Sequence, residues 1–469
     1  MIKSFFDDLE LFSDSIVFTT QSEQISYSTL VEEINELALC LKDRDLVFLL
    51  CENSIESIVG YLACLRVGAV PLLIGSSIDE VLLQNLIDTY KPSFLWTNRN
   101  FDWVEGIWKK NHVNRSYHLF DKLSKYEHSF HQDLAILLMT SGSTGSPILV
   151  RISYENLKQN AISISESLNI SNNDVPITSL PMNYTYGLSI INSHLLNGCQ
   201  IVLTESSILS KEFWELIKNK PVTTFGGVPY TYQMLKRLGF EKMNLYNISK
   251  LTQAGGKLDL NLIKYFAEQC SYKGIQFYVM YGQTEATARM SCLPAKDALI
   301  KAGSIGIAIP NGEFYLVDDT NSIITKAEVE GELYYKGPNV SMGYAYSLFD
   351  FIKGDENNGV IATGDMAKRD QDGYYYIVGR KKRFIKIFGN RISLDEVENI
   401  LTKNEILSTC TGVDDKLYIY TTQEEKLNEI KQFISAKIGI HHSAISVFFI
   451  SEFPRNESGK ILYSKLHVN

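Results

Sequence analysis

The sequence predicts an α/β protein with a large N-terminal domain of parallel-rich sheets covered by helices, a barrel-like part, and a small α+β C-terminal domain. First, short apolar runs alternate with amphipathic segments of helix length up to about residue 300, which is typical of parallel sheets flanked by helices. Second, strands then follow one another without long helices, as in barrel-like folds. Third, a length of 469 residues exceeds what one hydrophobic core serves.

The predicted strands of the large domain are eight apolar runs, many of them rich in β-branched residues. In chain order they read "DLVFLLC", "AVPLLIG", "PSFLWTN", "LAILLMTSG", "DVPITSLPM", "CQIVLTE", "VTTFGGVP" and "IQFYVMYG". Amphipathic segments such as "YTYQMLKRLGF" lie between them and predict the covering helices.

One apolar stretch, "IVGYLACLRVGAVPLLIG" at 58–75, has about the length needed to cross a bilayer. Asn53 followed by Glu56 predicts a capping box, and Gly68 predicts a helix C-cap inside the stretch. Arg66 falls in the middle of the run, where lipid would disfavour its charge. We therefore predict a helix followed by a buried strand, and no membrane span.

The predicted secondary structure changes twice in the C-terminal part of the sequence. The runs "EFYLVDD", "GELYYKG" and "GYYYIVGR" predict the barrel-like part at about 300–379. The last segment carries its own helices, "SLDEVENILTKN" and "KLNEIKQFISAKIG", and its own strands, "KLYIYTT" and "ISVFFIS". That content suits a small separate domain. We expect a domain at 1–379 and a second one at 380–469.

Composition and charge limit which partners and which cellular compartment we expect for the protein. A formal charge of −9 argues against nucleic acid as a partner. Seven cysteines without a CxxC pair indicate reduced thiols, hence a cytoplasmic protein without a cysteine-based zinc site. The N-terminal "MIKSFFDDLELF" carries acidic residues where a signal peptide has an apolar core, so we expect no export signal.

The stretch "MTSGSTGSPILV" at 139–150 is typical of a phosphate-binding loop. It follows a predicted buried strand, its glycines allow a tight turn, and its hydroxyl groups add donors. No Gly-Lys-Ser/Thr follows, so it is not a Walker loop, and alone it is weak evidence because many such loops are linkers.

Further motifs occur in order along the chain: "ISYSTLVEEINELALCL", "LPMNYTYGL", "GGVPYTYQML", "LTQAGGKLD", "YGQTEAT", "ATGDMAKRDQDGYYYIVGRKKRFIKIFGNRISLDEVE" and "FPRNESGKILYSKL". With the loop, they resemble the adenylate-forming superfamily of acyl-CoA synthetases, nonribosomal adenylation domains and firefly luciferases. The resemblance implies that a carboxylate attacks the α-phosphorus of ATP, giving an acyl-adenylate and pyrophosphate. A nucleophile, usually a thiol, then takes the acyl group and releases AMP, after a mobile C-terminal domain has rotated.

The resemblance also assigns contacts with ATP and Mg²⁺. The residues are Thr140, Ser141, Gly142, Ser143, Thr144 and Gly145 at the β- and γ-phosphates, Gly255, Gly256, Lys257, Tyr281 and Gly282 at the adenine, Thr284 at the α-phosphate, Glu285 at Mg²⁺, Asp365 at the ribose, and Arg380 at the ribose or a phosphate. Lys460 would bridge the substrate carboxylate and the α-phosphate, as the main catalytic cation of the first step.

The remaining assignments concern the acid and the second half-reaction. Tyr184, Gly226, Gly227 and Val228 would line the acid pocket, Lys382 would be the hinge, and Lys386 and Arg391 would serve the second half-reaction or the closed interface. The basic run "GRKKRFIK" also has the composition of a nucleic-acid patch or a localisation signal, but its position at the domain junction favours the hinge.

Two departures from the family pattern stand out. Ile148 replaces the lysine that usually follows the loop, and Tyr184 replaces a frequent histidine, where it serves either as an aromatic gate or as a core residue. The stretch 181–190 has no acid, although relatives that activate amino acids carry an aspartate there, so we predict a neutral acyl or aryl acid.

Three alternatives stay open at this point. The acceptor is CoA, the phosphopantetheine of an acyl carrier protein, or an amine. A second alternative is that the substrate is an amino acid, which is transferred to a carrier protein or an amine. A third alternative, suggested by Ile148 after the loop, is that the protein is a degenerate homologue that binds nucleotide without catalysis.

Overall fold

The computed structural model describes residues 4–139, 148–381, 383–387, 390–455 and 461–466, with the backbone alone at 384, 390, 391 and 464. Within these ranges the helices are α1 (Tyr27–Ala38), α2 (Ile55–Val67), α3 (Glu80–Tyr90), α4 (Tyr154–Leu168), α5 (Thr185–Leu195), α6 (Lys211–Asn219), α7 (Pro229–Arg237), α8 (Leu260–Lys273), α9 (Leu394–Lys403) and α10 (Leu427–Ile438).

The strands are β1 (Ile16–Thr19), β2 (Gln24–Ser26), β3 (Leu46–Cys51), β4 (Val70–Gly75), β5 (Phe94–Thr97), β6 (Trp108–Asn114), β7 (Tyr117–Lys122), β8 (Leu134–Met139), β9 (Leu149–Ser153), β10 (Pro176–Ile177), β11 (Ile201–Val202), β12 (Thr224–Gly227), β13 (Lys250–Gln253) and β14 (Gln276–Tyr281). They continue with β15 (Ser291–Leu293), β16 (Ile307–Ala308), β17 (Glu313–Val317), β18 (Ile323–Ile324), β19 (Gly331–Lys336), β20 (Gly343–Ala345), β21 (Val360–Arg369), β22 (Tyr375–Arg380), β23 (Phe384–Ile387), β24 (Asn390–Ser393), β25 (Ser408–Val413), β26 (Lys416–Thr421) and β27 (Ile445–Phe449).

The chain divides into two compact units. The first comprises Met1–Glu313 and Lys336–Ile361, and the second comprises Phe314–Tyr335 and Ala362–Asn469. The division by sequence position, 1–379 and 380–469, stays a prediction.

The first unit is built on two mixed sheets. One has the order β16-β15-β14-β13-β12-β10-β11-β1-β2, and the other β20-β9-β8-β4-β3-β5-β7-β6. The central strands of both sheets are parallel. One apolar core joins residues of both sheets with residues of α1, α2, α4 and α5, so these helices lie between the sheets. The eight apolar runs predicted as strands contain β3, β4, β5, β8, β10, β11, β12 and β14.

Helix α2 and strand β4 account for the long apolar stretch. The helix ends at Gly68, whose φ of 81° is the left-handed conformation that favours glycine. The predicted capping box is wrong by one position, because Ser54 is the N-cap and its hydroxyl accepts from the backbone N–H of Ser57. Among the described helices none has both the length and the apolar character needed to cross a membrane.

The second unit contains three sheets. A five-stranded sheet, β18-β17-β19-β21-β22, corresponds to the strand-rich part of the sequence. The hairpin β23-β24 and the sheet β25-β26-β27 follow. Among the described residues, the buried members of the main apolar core of this last part run from Ile385 to Ile445 and include positions of α9 and α10.

Candidate active site

Three neighbouring parallel strands end at one edge of the nine-stranded sheet. Gly227 of β12 pairs with Gln253 of β13, and Gln253 pairs with Val279 of β14. The segments that follow these strands therefore emerge side by side, where open α/β sheets bind ligands. They carry predicted site residues from three separate motifs: Gly226, Gly227 and Val228; Gly255, Gly256 and Lys257; and Tyr281, Gly282, Thr284 and Glu285.

The segment after β14 is tightly folded. A Cβ on Gly282 would lie 1.8 Å from the carbonyl oxygen of Ala288, so only glycine fits there. Residues Thr284–Ala286 form a 3-10 turn, and Thr287 follows with φ 61° and ψ −59°. The N–H of Ala288 donates to the carbonyl of Ala286 at 2.6 Å, which closes a γ-turn. This conformation is strained for a β-branched residue and persists only where its surroundings enforce it.

Three buried asparagines hold this segment, two of them directly and the third through residues 338–340. The amide of Asn339 donates to the carbonyls of Ala286 at 2.9 Å and Arg289 at 2.8 Å. Asn160 of α4 donates to the same Arg289 carbonyl at 3.0 Å. Asn156, also on α4, donates to carbonyls of residues 338 and 340, both at 2.7 Å. We call these three the asparagine network; it satisfies buried backbone carbonyls and fixes the position of the motif.

Glu285 is partly exposed and carries a hydrogen bond from the second sheet. The hydroxyl of Tyr344 donates to its Oε1 at 2.8 Å, and its carbonyl accepts from the N–H of Ser341 at 2.9 Å. Burial and the charge of Glu285 raise the pKa of Tyr344, so this tyrosine stays protonated and keeps donating. Tyr344 pairs with Val150 of β9, next to the strand start that follows the phosphate-loop motif.

The glycine turn after β13 meets two predicted pocket residues. Gly255 has φ 84°, and a Cβ there would lie 2.5 Å from the Tyr184 hydroxyl and 3.0 Å from Val228 Cγ1. Gly255 thus allows both side chains to approach the backbone. Tyr184 is half-buried at the N-terminus of α5 and contacts Tyr186 edge-on, with ring centroids 6.4 Å apart. It therefore lies beside the adenine motif, which is compatible with either the gate or the packing role.

A cavity lies beneath these residues, between the sheet and helices α4 and α5. It has a volume of about 20 Å³ and is lined by Gly226, Thr252, Met280 and Arg289, with apolar residues of both helices. A Cβ on Gly226 would lie 2.7 Å from the Tyr186 hydroxyl, so Gly226 is needed for close approach.

Arg289 is 3% exposed and lies against this cavity. Its Nε has no hydrogen-bond partner. The groups that raise its pKa are Tyr186, Cys292 and Tyr184, with no carboxylate among them, while burial lowers the pKa. The guanidinium stacks on Tyr186 at 4.6 Å from the ring centroid. Stacking of this kind contributes about 0.5–2 kcal/mol, less than the several kcal/mol that burying an ion costs.

The strands flanking the phosphate-loop motif form a hairpin. Met139 of β8 pairs with Leu149 of β9, so the chain leaves and returns at neighbouring positions. Ile148 is partly exposed at the start of β9. Arg151, the nearest cation in the sequence, does not face outward: its guanidinium donates to Glu356 at 2.5 Å and to the carbonyls of residues 342, 344, 353 and 354. It cannot replace a phosphate-binding lysine.

In the second unit, Asp365 and Arg380 face each other. They are paired positions of β21 and β22, and Arg380 Nε lies 2.6 Å from Asp365 Oδ1. Asp365 is 2% exposed, whereas the Arg380 side chain is 54% exposed. The two residues predicted to contact the ribose and a phosphate thus form one ion pair with each other.

The basic run after β22 is largely paired with acids. Lys381 lies 2.6 Å from Glu332. Arg383 contacts Asp395 and lies 2.8 Å from Glu398. The charges of these two cations are therefore matched by acids of the same unit.

The remaining predicted residues divide into those that the structure describes and those that it does not. Lys386 is exposed on β23 and is the paired position of Arg391 on β24. The hinge Lys382, the cation Lys460 and the loop 140–145 lie outside the described residues, as does the side chain of Arg391.

The family model described as AMP-binding enzyme matches residues 5–345. The chain belongs to this family. The 2-succinylbenzoate--CoA ligase of Bacillus cereus is 26% identical over 473 residues, covering 97% of this chain and 95% of the relative.

Solved structures have the same fold. The O-succinylbenzoate Coenzyme A synthetase of Bacillus subtilis in complex with AMP has a TM-score of 0.81 at 21% identity, covering 100% of this chain and 98% of that one. The same enzyme with ATP and a magnesium ion has a TM-score of 0.78 at 21% identity, covering 99% of each chain.

The prediction of family, fold class and enzyme class is confirmed: the protein is an AMP-forming acid–thiol ligase of the AMP-binding enzyme family, with an α/β fold. ATP with magnesium as cofactors and CoA as acceptor agree with these relatives.

Several residues of the site escaped the sequence analysis. Asn339 and Tyr344 come from a segment more than fifty positions after the motif they hold, and an isolated asparagine or tyrosine carries no pattern. Arg289 did carry a signal in the sequence. It closely follows the motif "YGQTEAT", which ends a predicted buried strand, and an arginine is unusual in so apolar a context.

Proposed function

We propose that the protein activates an aryl carboxylic acid of the 2-succinylbenzoate kind with ATP and transfers the acyl group to the thiol of CoA. The observation that carries this is the convergence of three motif segments, after β12, β13 and β14, at one sheet edge. The curated relatives named for 2-succinylbenzoate and CoA support the choice of acid and acceptor.

In this proposal the nucleotide lies across the turn segments. The Tyr281 ring would cover the adenine, with the backbone at Gly255 and Gly256 at its edge. Thr284 would donate its hydroxyl to the α-phosphate. The strained turn and the asparagine network would keep these groups in place before ATP arrives, which lowers the entropy lost on reaching the reactive geometry.

Glu285 fits a magnesium ion. A partly exposed carboxylate, held through Oε1 by the Tyr344 hydroxyl, presents oxygen to a hard cation that prefers carboxylate and phosphate ligands. When bound with ATP, magnesium supplies positive charge that neutralises the phosphate oxygens. The Tyr344 hydrogen bond would orient the carboxylate for this contact.

Asp365 would accept the ribose hydroxyls while sharing its carboxylate with Arg380. The two residues form a 2.6 Å ion pair, and a charge-paired carboxylate of this kind is a strong hydrogen-bond acceptor. Lys460 would supply the cation between the carboxylate and the α-phosphate. Lys386 and Arg391, at paired positions of one hairpin, would act in the second half-reaction.

The acceptor and the compartment complete the proposal. We favour CoA over an acyl carrier protein because the matched relatives are CoA ligases. The cysteines are all unpaired and six of the seven are buried, which supports a reducing cytoplasm.

Exchange of radioactive pyrophosphate into ATP tests the first half-reaction. The protein, with magnesium, is assayed against 2-succinylbenzoate, benzoate, anthranilate, medium-chain fatty acids and amino acids. We expect exchange with the aryl acid, and acyl-CoA in the complete reaction by mass spectrometry. Glu285→Gln should reduce exchange by about 100-fold or more, while the matched variant Glu313→Gln, at an exposed strand end, should not. Silence with every acid would contradict the ligase proposal and favour a nucleotide-binding protein without catalysis.

A further inference from the structure

Arg289 has a buried charge that its surroundings do not balance. Its Nε is unpartnered, and the groups acting on its charge are two tyrosines and a cysteine. By contrast, Arg151 in the same unit is equally buried and is satisfied by Glu356 and four carbonyls. Burying an arginine without an acid costs several kcal/mol, so an anionic ligand that reaches Arg289 would gain a strong interaction.

The lining of the cavity beside Arg289 is mostly apolar, as an aryl group requires. Its walls are apolar side chains of α4 and α5, with hydroxyls of Ser189, Ser193 and Thr252 among them. His194 also lines it, and burial lowers the pKa of this histidine to about 4. At neutral pH the cavity therefore holds one cation, Arg289. The present volume of about 20 Å³ admits about one water, so a ring requires the flexible Met280 and its neighbours to change rotamer.

The cavity continues the predicted acid pocket. Gly226 lines it, and a Cβ on Gly226 would meet the hydroxyl of Tyr186, the same tyrosine on which Arg289 stacks. Met280 lines it from β14, one residue before Tyr281. An acid whose reacting carboxylate lies at the strand ends would thus extend its other end toward Arg289.

We infer that Arg289 is the specificity residue that binds a second carboxylate of the acid substrate, the one that is not adenylated. This rests on the proposed function and makes the substrate an aryl dicarboxylate. The planar guanidinium pairs with a carboxylate through two parallel hydrogen bonds. Acids without the second carboxylate leave the buried charge unpaired and are rejected.

The test compares one dicarboxylate with its two monocarboxylate counterparts. The acids are 2-succinylbenzoate, 4-oxo-4-phenylbutanoate and 2-propanoylbenzoate, which differ only in the presence of each carboxyl group. For the wild type we expect kcat/KM in pyrophosphate exchange to be at least about 100-fold higher for the dicarboxylate. In Arg289→Met this preference should fall to within about threefold of unity, through a higher KM for the dicarboxylate and an unchanged kcat for the monocarboxylate.

Two variants serve as controls. Arg289→Lys keeps a charge but not the planar fork and should retain part of the preference. Arg237→Met removes an exposed arginine of α7 and should leave the preference unchanged. A readout without catalysis is the shift of Tm on adding each acid: the dicarboxylate should raise Tm for the wild type and not for Arg289→Met.

The outcomes separate the inference from the proposed function. If the wild type uses a monocarboxylate as well as the dicarboxylate, the ligase stands and the role of Arg289 is overturned. The same follows if Arg289→Met keeps the preference. If Arg289→Met does not fold, the inference is tested by the wild-type preference for the dicarboxylate and by the part of that preference that Arg289→Lys retains. If no acid supports exchange and none shifts Tm, the ligase proposal and the inference both fall.

Discussion

Arg151 and Arg289 illustrate how the same buried side chain takes two roles. Arg151 joins β9 to the segment 342–356 through one carboxylate and several carbonyls, so its guanidinium is a structural link. Arg289 has no comparable partners. The difference makes Arg289, and not Arg151, the candidate for a substrate contact, and it means that Arg151 does not supply a cation to the phosphate-loop motif.

Ile148→Lys should improve the use of ATP. Ile148 is partly exposed just before β9, so a lysine there can reach solvent, and the family resemblance places this position beside the β- and γ-phosphates. We expect kcat/KM for ATP to rise about tenfold, equivalent to about 1.4 kcal/mol. Steady-state kinetics at saturating acid measure this, with Ile148→Gln as the uncharged control. Because Arg151 is committed elsewhere, unchanged kinetics in a folded variant would mean that another cation already serves the phosphates.

His194 should make stability depend on pH between about 6.5 and 4. Burial lowers its pKa to about 4, against the opposing effects of a hydrogen bond to Ile190 and the charge of Asp174. The unfolded state binds a proton at about pH 6.5, so the free energy of unfolding is highest above 6.5 and falls by up to about 3 kcal/mol as pH drops to 4.

Urea unfolding from pH 4 to 7.5 measures this dependence. His194→Gln should flatten the profile in that window, whereas His442→Gln, at an exposed position, should leave it unchanged. An equally steep profile in His194→Gln would assign the dependence to other groups.

At the scale of elements, the candidate site depends on contacts between segments far apart in sequence. Helix α4 and the segment 338–341 fix the turn after β14 through the asparagine network. Strand β20 adds the Tyr344 hydroxyl from the second sheet. These contacts surround the strained Thr287, which itself donates to the Asn339 carbonyl at 2.7 Å. The elements thus hold a conformation that the local sequence does not favour.

Asn339→Ala should loosen this turn. The change leaves two buried carbonyl contacts unmade, so we expect the free energy of unfolding to fall by about 2–3 kcal/mol. We also expect kcat/KM for ATP to fall by about tenfold or more, because small displacements of catalytic groups are costly. Asn173→Ala, at an exposed turn, is the matched control. Full activity in Asn339→Ala would show that the network stabilises the fold without positioning the motif.

In the molecule as a whole, ion pairs and a separate apolar core distinguish the C-terminal part of the chain. Three described cations of the basic run, Arg380, Lys381 and Arg383, are paired with acids of their own unit. The apolar core formed from Ile385 onward excludes the five-stranded sheet, which supports a C-terminal part with its own stability. We propose that this part rotates about Lys382 between the two half-reactions.

Lys382→Pro should separate the half-reactions. Proline fixes φ and would block rotation at this position, so pyrophosphate exchange should continue while acyl-CoA formation falls by about 100-fold or more. Single-turnover assays of each half-reaction measure the two rates, with Lys382→Ala as a control that keeps backbone freedom. Undiminished acyl-CoA formation in the proline variant would place the hinge elsewhere.

Local patterns in the sequence predicted eight strands of the large domain, the order of the motifs and the family. Apolar runs such as Gln276–Tyr281 predict strands because periodicity and β-branching act locally, and the glycine-rich turns after them require particular residue types. The tertiary structure alone decided which side chains meet: Tyr344 with Glu285, Asn339 with Ala286, and Arg289 with the cavity but with no acid. These pairings depend on packing between the two sheets and their helices, and packing joins residues whose separation in the chain carries no local signal.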